Sequence, residues 1–167
     1  NLADAVLKIT ADDYFKLYIN GEFVTQGPPP SYLQAYYYME LPVGKVLKSG
    51  ENVIAVHTLY QGLINRVWVS GDNRESLWAE LIVNGEVILA TDESWKCKIS
   101  SAYAPLSIVG YDTQYMELFD SRSEDIGFEK ENFDDSSWQN AKIKFYNDYK
   151  LIKSPIKPLE IYDVEPK

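Results

Sequence analysis

Two Asn-Gly dipeptides, Asn20-Gly21 and Asn84-Gly85, constrain the fold of this chain more than any other feature. Asparagine and glycine tolerate the positive φ angles of a tight two-residue turn, and alternating apolar residues precede each dipeptide. Those apolar residues are Phe15, Leu17 and Ile19 before the first dipeptide, and Leu77, Ala79, Leu81 and Val83 before the second. Each dipeptide therefore predicts a β-hairpin with one face turned inward.

The rest of the chain carries the same kind of signal. The three prolines at 28–30 predict a loop that leads into an aromatic strand near 36–41, because proline cannot donate to a sheet ladder. Residues 53–60 predict a strand that is apolar on both faces and therefore central in its sheet. Helix is expected only as one turn near 43–48. We count about eight or nine short strands, which predicts an all-β fold: an antiparallel β-sandwich of the jelly-roll type.

The 167 residues fit one domain with a sizeable core. We expect the sandwich to span 1–153, with 154–167 a C-terminal linker or surface segment towards a missing downstream domain. The chain starts without methionine and ends in a proline-spaced stretch, which indicates a module cut from a longer protein. No signal peptide precedes the first strand-like segment, and both a cytoplasmic and a secreted location stay open.

Net charge limits the classes of partner. The formal charge is −9, so a phosphate backbone would be repelled, and nucleic acid is not expected as a partner. No apolar run approaches the roughly 20 residues of a membrane span, so no membrane partner is expected either. Residues 112–135 hold nine acidic side chains, which predict a solvated acidic surface, with cation binding as the alternative.

A catalytic constellation is hard to assemble from this sequence. His57 is the only histidine and lies in an apolar strand, which favours a packed ring over a general base. Cys97 is the only cysteine, and its alternation with two lysines predicts a buried thiol rather than a zinc ligand. Carboxylate pairs for glycoside hydrolysis exist among Glu117, Asp120, Glu124 and Asp125, but an acidic chain always offers some such pair. No catalytic residue is therefore predicted.

A carbohydrate-binding segment is better supported. Aromatic rings stack on the apolar faces of sugars, while Asp, Asn and Arg side chains pair with vicinal hydroxyls. Residues 60–74 bring these types together, and the candidates are Tyr60, Arg66, Trp68, Asp72, Asn73 and Arg74. The alternative is that Trp68 belongs to the core and that 71–73 form only a turn.

Two similar stretches, "TDESW" at 91–95 and "FDDSSW" at 133–138, each place acidic residues and serine before a tryptophan. Short side chains with oxygen atoms accept local backbone hydrogen bonds, so both stretches predict turns. Each turn is expected to deliver its tryptophan into the sandwich rather than to a ligand. Trp95 would then begin an inward alternation with Cys97 and Ile99.

The order of the motifs resembles a known family over most of the chain. The motifs are "YFKLYINGEFVTQGPPPSY", "LKSGENVIAVHTLYQG", "LWAELIVNGEVILATDESWKC" and "YMELFDSRSEDIGFEKENFDDSSWQNAKI". In this order they resemble the N-terminal non-catalytic β-sandwich domains of bacterial α-L-rhamnosidases, and more distantly the galactose-binding-like jelly rolls of other glycoside hydrolases. The family's glycine-glutamate-aromatic-aspartate-alanine-arginine stretch falls on Glu117, Phe119, Asp120 and Arg122, with Met116 and Ser121 departing from it.

The resemblance implies an accessory domain of a rhamnosidase-like hydrolase. In that family the catalytic carboxylates belong to a separate α/α-barrel domain of the same polypeptide, so this chain alone is expected to be inactive. It would scaffold that barrel and contact rhamnose-containing glycans. The alternatives are an independent sugar-binding module and, as a third reading, a stand-alone hydrolase. Some related sandwiches bind sugar through calcium, but no full ligand set can be matched here, so calcium is left open and no other cofactor is expected.

Overall fold

Short strands make up nearly all of the regular structure in the computed structural model, which describes residues 2–32, 35–65, 75–145 and 150–166. The strands of the first half are β1 (Val6–Ala11), β2 (Tyr14–Ile19), β3 (Glu22–Gly27), β4 (Tyr36–Pro42), β5 (Ile54–Leu59) and β6 (Leu77–Val83). Those of the second half are β7 (Glu86–Ala90), β8 (Lys96–Cys97), β9 (Tyr103–Val109), β10 (Gln114–Phe119), β11 (Gln139–Asn140) and β12 (Leu151–Lys153). Single turns of 3₁₀ helix lie at Leu2–Asp4 and Ser121–Ser123. No helix in these ranges is long and apolar enough to cross a membrane.

Two sheets form the sandwich. One has the strand order β12-β4-β1-β6-β7 and the other the order β3-β2-β5. Their strands pair antiparallel except β12, which runs parallel to β4. Strands β9 and β10 form a separate hairpin, and β8 pairs with β11. The predicted all-β sandwich is therefore confirmed.

The core lies between the two sheets, where residues of β1, β2, β4 and β6 are buried. Phe15, Leu17 and Ile19 of β2 are at most 1% exposed, as their alternation predicted. They belong to one buried cluster with residues of the larger sheet, which are Leu7, Ile9, Met39, Leu41, Ala79 and Leu81. A single core therefore joins both sheets.

Both Asn-Gly hairpins are confirmed. Asn20 and Gly21 have φ angles of 54° and 84°, and Asn84 and Gly85 have 52° and 85°. The two turns connect β2 to β3 and β6 to β7. Positive φ at both central residues is the geometry that fits the right-handed twist of the flanking strands.

Other sequence-based predictions differ from the structure. Strand β5 was expected to be central, but within the described residues it pairs with β2 alone. The described residues 141–145, between β11 and β12, form no strand. The single turn near 43–48 is confirmed, since the N–H groups of Val46 and Leu47 both donate to the carbonyl of Val43.

The inward position of Cys97 is wrong: Cys97 is exposed, and Ile99 is 94% exposed. The physical reason is that β8 is two residues long and pairs with β11 rather than with a sheet of the sandwich. Trp95 and Trp138 are half-buried. The indole N–H of Trp95 donates to the carbonyl of Ala90 at 3.1 Å, and Trp138 stands edge-on to Phe133.

The two predicted turns are confirmed. The carboxylate of Asp92 accepts from the backbone N–H of Ser94 at 2.8 Å, and that of Asp134 accepts from the backbone N–H of Ser136 at 3.0 Å. Hydrogen bonds to the charged form lower the pKa of both carboxyl groups. The two turns lead directly into β8 and β11, which pair with each other. The two similar turns thus precede two short strands, β8 and β11, that are distant in sequence and pair with each other.

Candidate functional site

Of the six predicted sugar-binding residues, the structure describes Tyr60. Arg66, Trp68, Asp72, Asn73 and Arg74 lie outside the described residues. Tyr60 follows β5 directly and is half-buried. Its ring lies over Gly62, where a Cβ atom would be 3.1 Å from Tyr60 Cε1, and Gly62 also has a φ of +64°. A side chain at position 62 would therefore displace the ring and strain the backbone.

The first residues of this loop, 60–65, are anchored on two sides. The backbone N–H of Gln61 donates to Asp13 Oδ2 at 2.7 Å, in the turn between β1 and β2. The side-chain oxygen of Gln61 accepts from the backbone N–H of Tyr115 at 3.2 Å, and Asn65 Nδ2 donates to the carbonyl of Asp112 at 2.8 Å. The base of the predicted binding segment is therefore fixed against the β9–β10 hairpin.

An aromatic cluster covers the outer side of the smaller sheet. We call this the aromatic face, and it comprises Tyr18, Phe23, His57, Tyr103 and Phe128. The ring of His57 lies 5.5 Å from that of Tyr103 and 6.4 Å from that of Phe128. The ring of Tyr18 contacts Phe23 at 5.5 Å and Phe128 at 5.6 Å. These contacts confirm the prediction that His57 is a packed ring.

Sequence reasoning missed the partners of His57. Tyr103 and Phe128 are distant along the chain, and the periodicity of a single strand carries no information about them. Within β5, His57 lies on the face opposite to the core, since it pairs with the exposed Lys16 of β2. The one signal in the sequence for this packing was a single polar ring, His57, within an otherwise apolar strand.

The charge state of His57 follows from its surroundings. Burial lowers the pKa of the imidazole, and the nearby Lys16 ammonium lowers it further. Glu124 and Glu117 act in the opposite direction without reversing the shift. Burial also raises the pKa of Tyr18 and of Tyr103. The aromatic face therefore holds a neutral imidazole among neutral rings.

This shift predicts a specific pH dependence of stability. The unfolded chain has the higher histidine pKa, near 6.5, so it takes up the proton first as the pH falls. The contribution of His57 to the free energy of unfolding is therefore complete above pH 6.5 and declines below it. Urea unfolding of the wild type and of His57→Asn should be measured at pH values about one unit apart between pH 5 and pH 8. The difference between their free energies of unfolding at each pH gives the contribution of His57. A difference that stayed constant, or that favoured the wild type more at pH 5, would contradict the assignment.

The acidic segment is tied into local structure. Asp120 accepts from Arg122 Nε at 2.8 Å, from Arg122 Nη2 at 2.6 Å and from the Arg122 backbone N–H at 3.1 Å, and it caps the short 3₁₀ turn. Asp125 pairs with Lys98 at 2.6 Å. The hydrogen bonds from Arg122 lower the pKa of Asp120, whereas a general acid needs a raised one. The motif matched at Glu117 to Arg122 therefore contains a structural ion pair.

Metal binding was the alternative for the acidic segment. Within the part of the chain that the structure describes, no three His, Cys, Asp or Glu side chains are grouped so that they could hold a metal ion. Several carboxylates are instead paired with cations, among them Glu131 with Lys48 at 2.5 Å. Three carboxylates of the segment, those of Asp120, Asp125 and Glu131, are thus ion-paired.

Comparisons with solved structures agree with this architecture. The chain is similar to the GH78 family rhamnosidase of Bacillus sp. GL1, with 27% identity and a TM-score of 0.82 over 90% of this chain and 16% of that one. The α-L-rhamnosidase of Aspergillus terreus shows 25% identity and a TM-score of 0.68 over 89% of this chain and 18% of that one. That of Dictyoglumus thermophilum shares the fold at 23% identity and a TM-score of 0.69, over 89% of this chain and 17% of that one. The chain thus spans less than a fifth of each of these structures.

The family comparison covers nearly the whole chain. No curated protein matches it. The model of the α-L-rhamnosidase N-terminal domain matches residues 1–163. Together with the sandwich and the motif order, this match shows that the chain belongs to the family of α-L-rhamnosidase N-terminal domains.

Proposed function

We propose that the chain is a non-catalytic accessory domain of an α-L-rhamnosidase-like glycoside hydrolase. In this proposal residues 1–153 form the sandwich, and residues 154–167 form a linker or surface segment. The domain scaffolds the catalytic α/α-barrel of the same polypeptide. The observation that supports this most is the combination of a family match over residues 1–163 with coverage of 16% of the Bacillus rhamnosidase chain.

The side chains of the acidic segment support the non-catalytic part of the proposal. Hydrolysis of a glycoside needs one carboxyl group with a raised pKa and a second carboxylate across a sugar-sized gap. Asp120 has a lowered pKa and is held by Arg122, and Asp125 is paired with Lys98. Both carboxylates form ion pairs with neighbouring cationic side chains, which favours a structural role.

Deleting residues 1–153 from the full-length polypeptide tests the scaffolding role. We expect the truncated enzyme to lose thermal stability, because the surface that the domain covers becomes exposed, while the KM for a small aryl α-L-rhamnoside stays the same. Differential scanning calorimetry and steady-state kinetics measure the two effects. Unchanged stability and activity after the deletion would contradict the proposal, and so would a full-length polypeptide without a glycosidase domain.

A direct role in sugar binding is the second candidate. It is supported by the half-buried Tyr60 at the start of the loop. The base of this loop is anchored by hydrogen bonds to Asp13 and to the β9–β10 hairpin. In this role the segment 60–74 contacts rhamnose-containing glycans through Tyr60, Arg66, Trp68, Asp72, Asn73 and Arg74. A bound calcium ion remains part of this candidate, since some related sandwiches use one.

Calorimetric titration with L-rhamnose, with and without calcium, tests this role. Trp68→Ala should abolish the binding heat, because an aromatic platform for the sugar is lost. The matched control is Trp78→Ala, which removes a tryptophan of β6 that packs edge-on to Tyr38. Absence of binding under both conditions would exclude the role, as would equal loss in the two variants.

A further inference from the structure

The β9–β10 hairpin is apolar on both faces. Residues that pair directly across antiparallel strands share a face, and Phe119 pairs with Tyr103 while Leu118 pairs with Ala104. Tyr103 contacts His57 and Phe119, so the Tyr103 face is turned towards the aromatic face. The opposite face carries Leu106, Met116 and Leu118, which we call the outer hairpin row. Strands with two apolar faces are characteristic of strands that are covered on both sides.

The outer hairpin row is uncovered in the described structure. Leu106, Met116 and Leu118 are 41%, 44% and 52% exposed. The register shift between Tyr115 and Glu117 keeps Met116 on this side, where its sulfur atom lies 3.8 Å from Ser107 Oγ. Three neighbouring large apolar side chains therefore face outward together.

The hairpin is nevertheless held in a defined position. The backbone N–H of Tyr115 in β10 donates to the side-chain oxygen of Gln61, and the side-chain amide of Asn65 donates to the carbonyl of Asp112 in the hairpin turn. At its other end, the backbone N–H of Asp120 donates to the carbonyl of Ala102 at 2.8 Å. The row is thus presented on a fixed support, which lowers the ordering cost of binding a partner.

The exposed area of the whole chain is large for its mass. The chain exposes 11547 Å² at a mass of 19.1 kDa. A folded monomer of this mass exposes about 8,400 Å², so the excess is roughly 3,000 Å². Among the described residues after Val83, Ala102 alone is buried. Residues 155–166 are exposed along their whole length and account for part of this excess, and the apolar side chains of the β9–β10 hairpin are exposed as well.

We propose that the outer hairpin row docks the domain onto the catalytic part of its own polypeptide, an inference that rests on the accessory function proposed above. The solved relatives contain several times more chain than this domain, since it spans 16% of the Bacillus enzyme. A second copy fits less well, because each copy carries a net charge of −9 and the two would repel. The neighbour supplies an apolar surface that covers Leu106, Met116 and Leu118.

Photo-cross-linking of the full-length polypeptide tests this surface. With Leu118→p-benzoylphenylalanine, irradiation should give a cross-link within one chain, between position 118 and residues outside 1–167. The control position is Glu51, an exposed residue in the loop between β4 and β5, which should give no such cross-link. Adding Met116→Glu to the cross-linking variant should abolish the product, because a buried unpaired charge opens the interface.

Two results would overturn the proposal: a cross-link between two copies of the chain, or no cross-link from position 118 in a polypeptide that is folded and active. Either result would leave the accessory function standing as long as deletion of residues 1–153 still destabilised the enzyme. If the deletion had no effect, the accessory function itself would fail. The two experiments therefore separate an incorrect surface from an incorrect function.

Discussion

Replacing Phe15 by alanine should lower the free energy of unfolding by about 3–5 kcal/mol. Phe15 is 1% exposed and lies in the cluster that joins the two sheets of the sandwich. Removing its ring deletes buried apolar contacts with the opposite sheet and leaves a cavity that the neighbouring side chains fill only in part. A domain of ordinary stability would lose a large fraction of its total, since native proteins are stable by about 5–15 kcal/mol.

Urea denaturation followed by circular dichroism measures the effect of Phe15→Ala. The matched control is Lys16→Ala, which changes the next residue of the same strand on the exposed face and should shift stability by no more than about 0.5 kcal/mol. If the two substitutions had equal effects, the alternation that places Phe15 inside and Lys16 outside would be refuted.

Asn20→Ala should cost about 2–4 kcal/mol, because Asn20 links the first hairpin to the connection between β4 and β5. Its Nδ2 donates to the carbonyl of Val46 and to Asn52 Oδ1, each at 2.9 Å. Its Oδ1 accepts from the backbone N–H of Val53 at 3.0 Å. Alanine would leave these partly buried groups without their partner and would also hold a positive φ that alanine disfavours.

Asn84→Ala is the control for this prediction, since Asn84 has nearly the same φ, 52° against 54°, at the second Asn-Gly turn. Asn84 is exposed, so the substitution should cost about 1 kcal/mol, the conformational part alone. The difference between the two variants isolates the contribution of the Asn20 side chain. Equal losses would show that its hydrogen bonds contribute nothing to stability.

Local signals in the sequence predicted the parts of the fold that local chemistry determines. The Asn-Gly dipeptides predicted both hairpins, and the alternation of Phe15, Leu17 and Ile19 predicted which face of β2 is buried. The position of Cys97 could not be predicted in the same way. Its alternation with two lysines is real, but β8 pairs with a strand more than forty residues away, and that partner decides whether a face is buried.

The candidate sites were predictable to different degrees. His57 was correctly interpreted as a packed ring, because a single polar residue in an apolar strand is informative by itself. Tyr103 and Phe128, which pack against it, belong to segments whose position depends on long-range packing. The motif containing Asp120 and Arg122 was recognised by resemblance, yet its bidentate ion pair could be found only from the geometry. The assignment of Tyr60 and its neighbours to sugar binding stays a prediction.

We propose that this domain is part of a glycoside hydrolase without performing its chemistry. The most direct test is hydrolysis of an aryl α-L-rhamnoside by the purified chain 1–167, with circular dichroism confirming that it is folded. We expect no turnover above the uncatalysed rate, together with full activity of the longer polypeptide. Turnover by the folded chain that Glu117→Gln abolishes would contradict it.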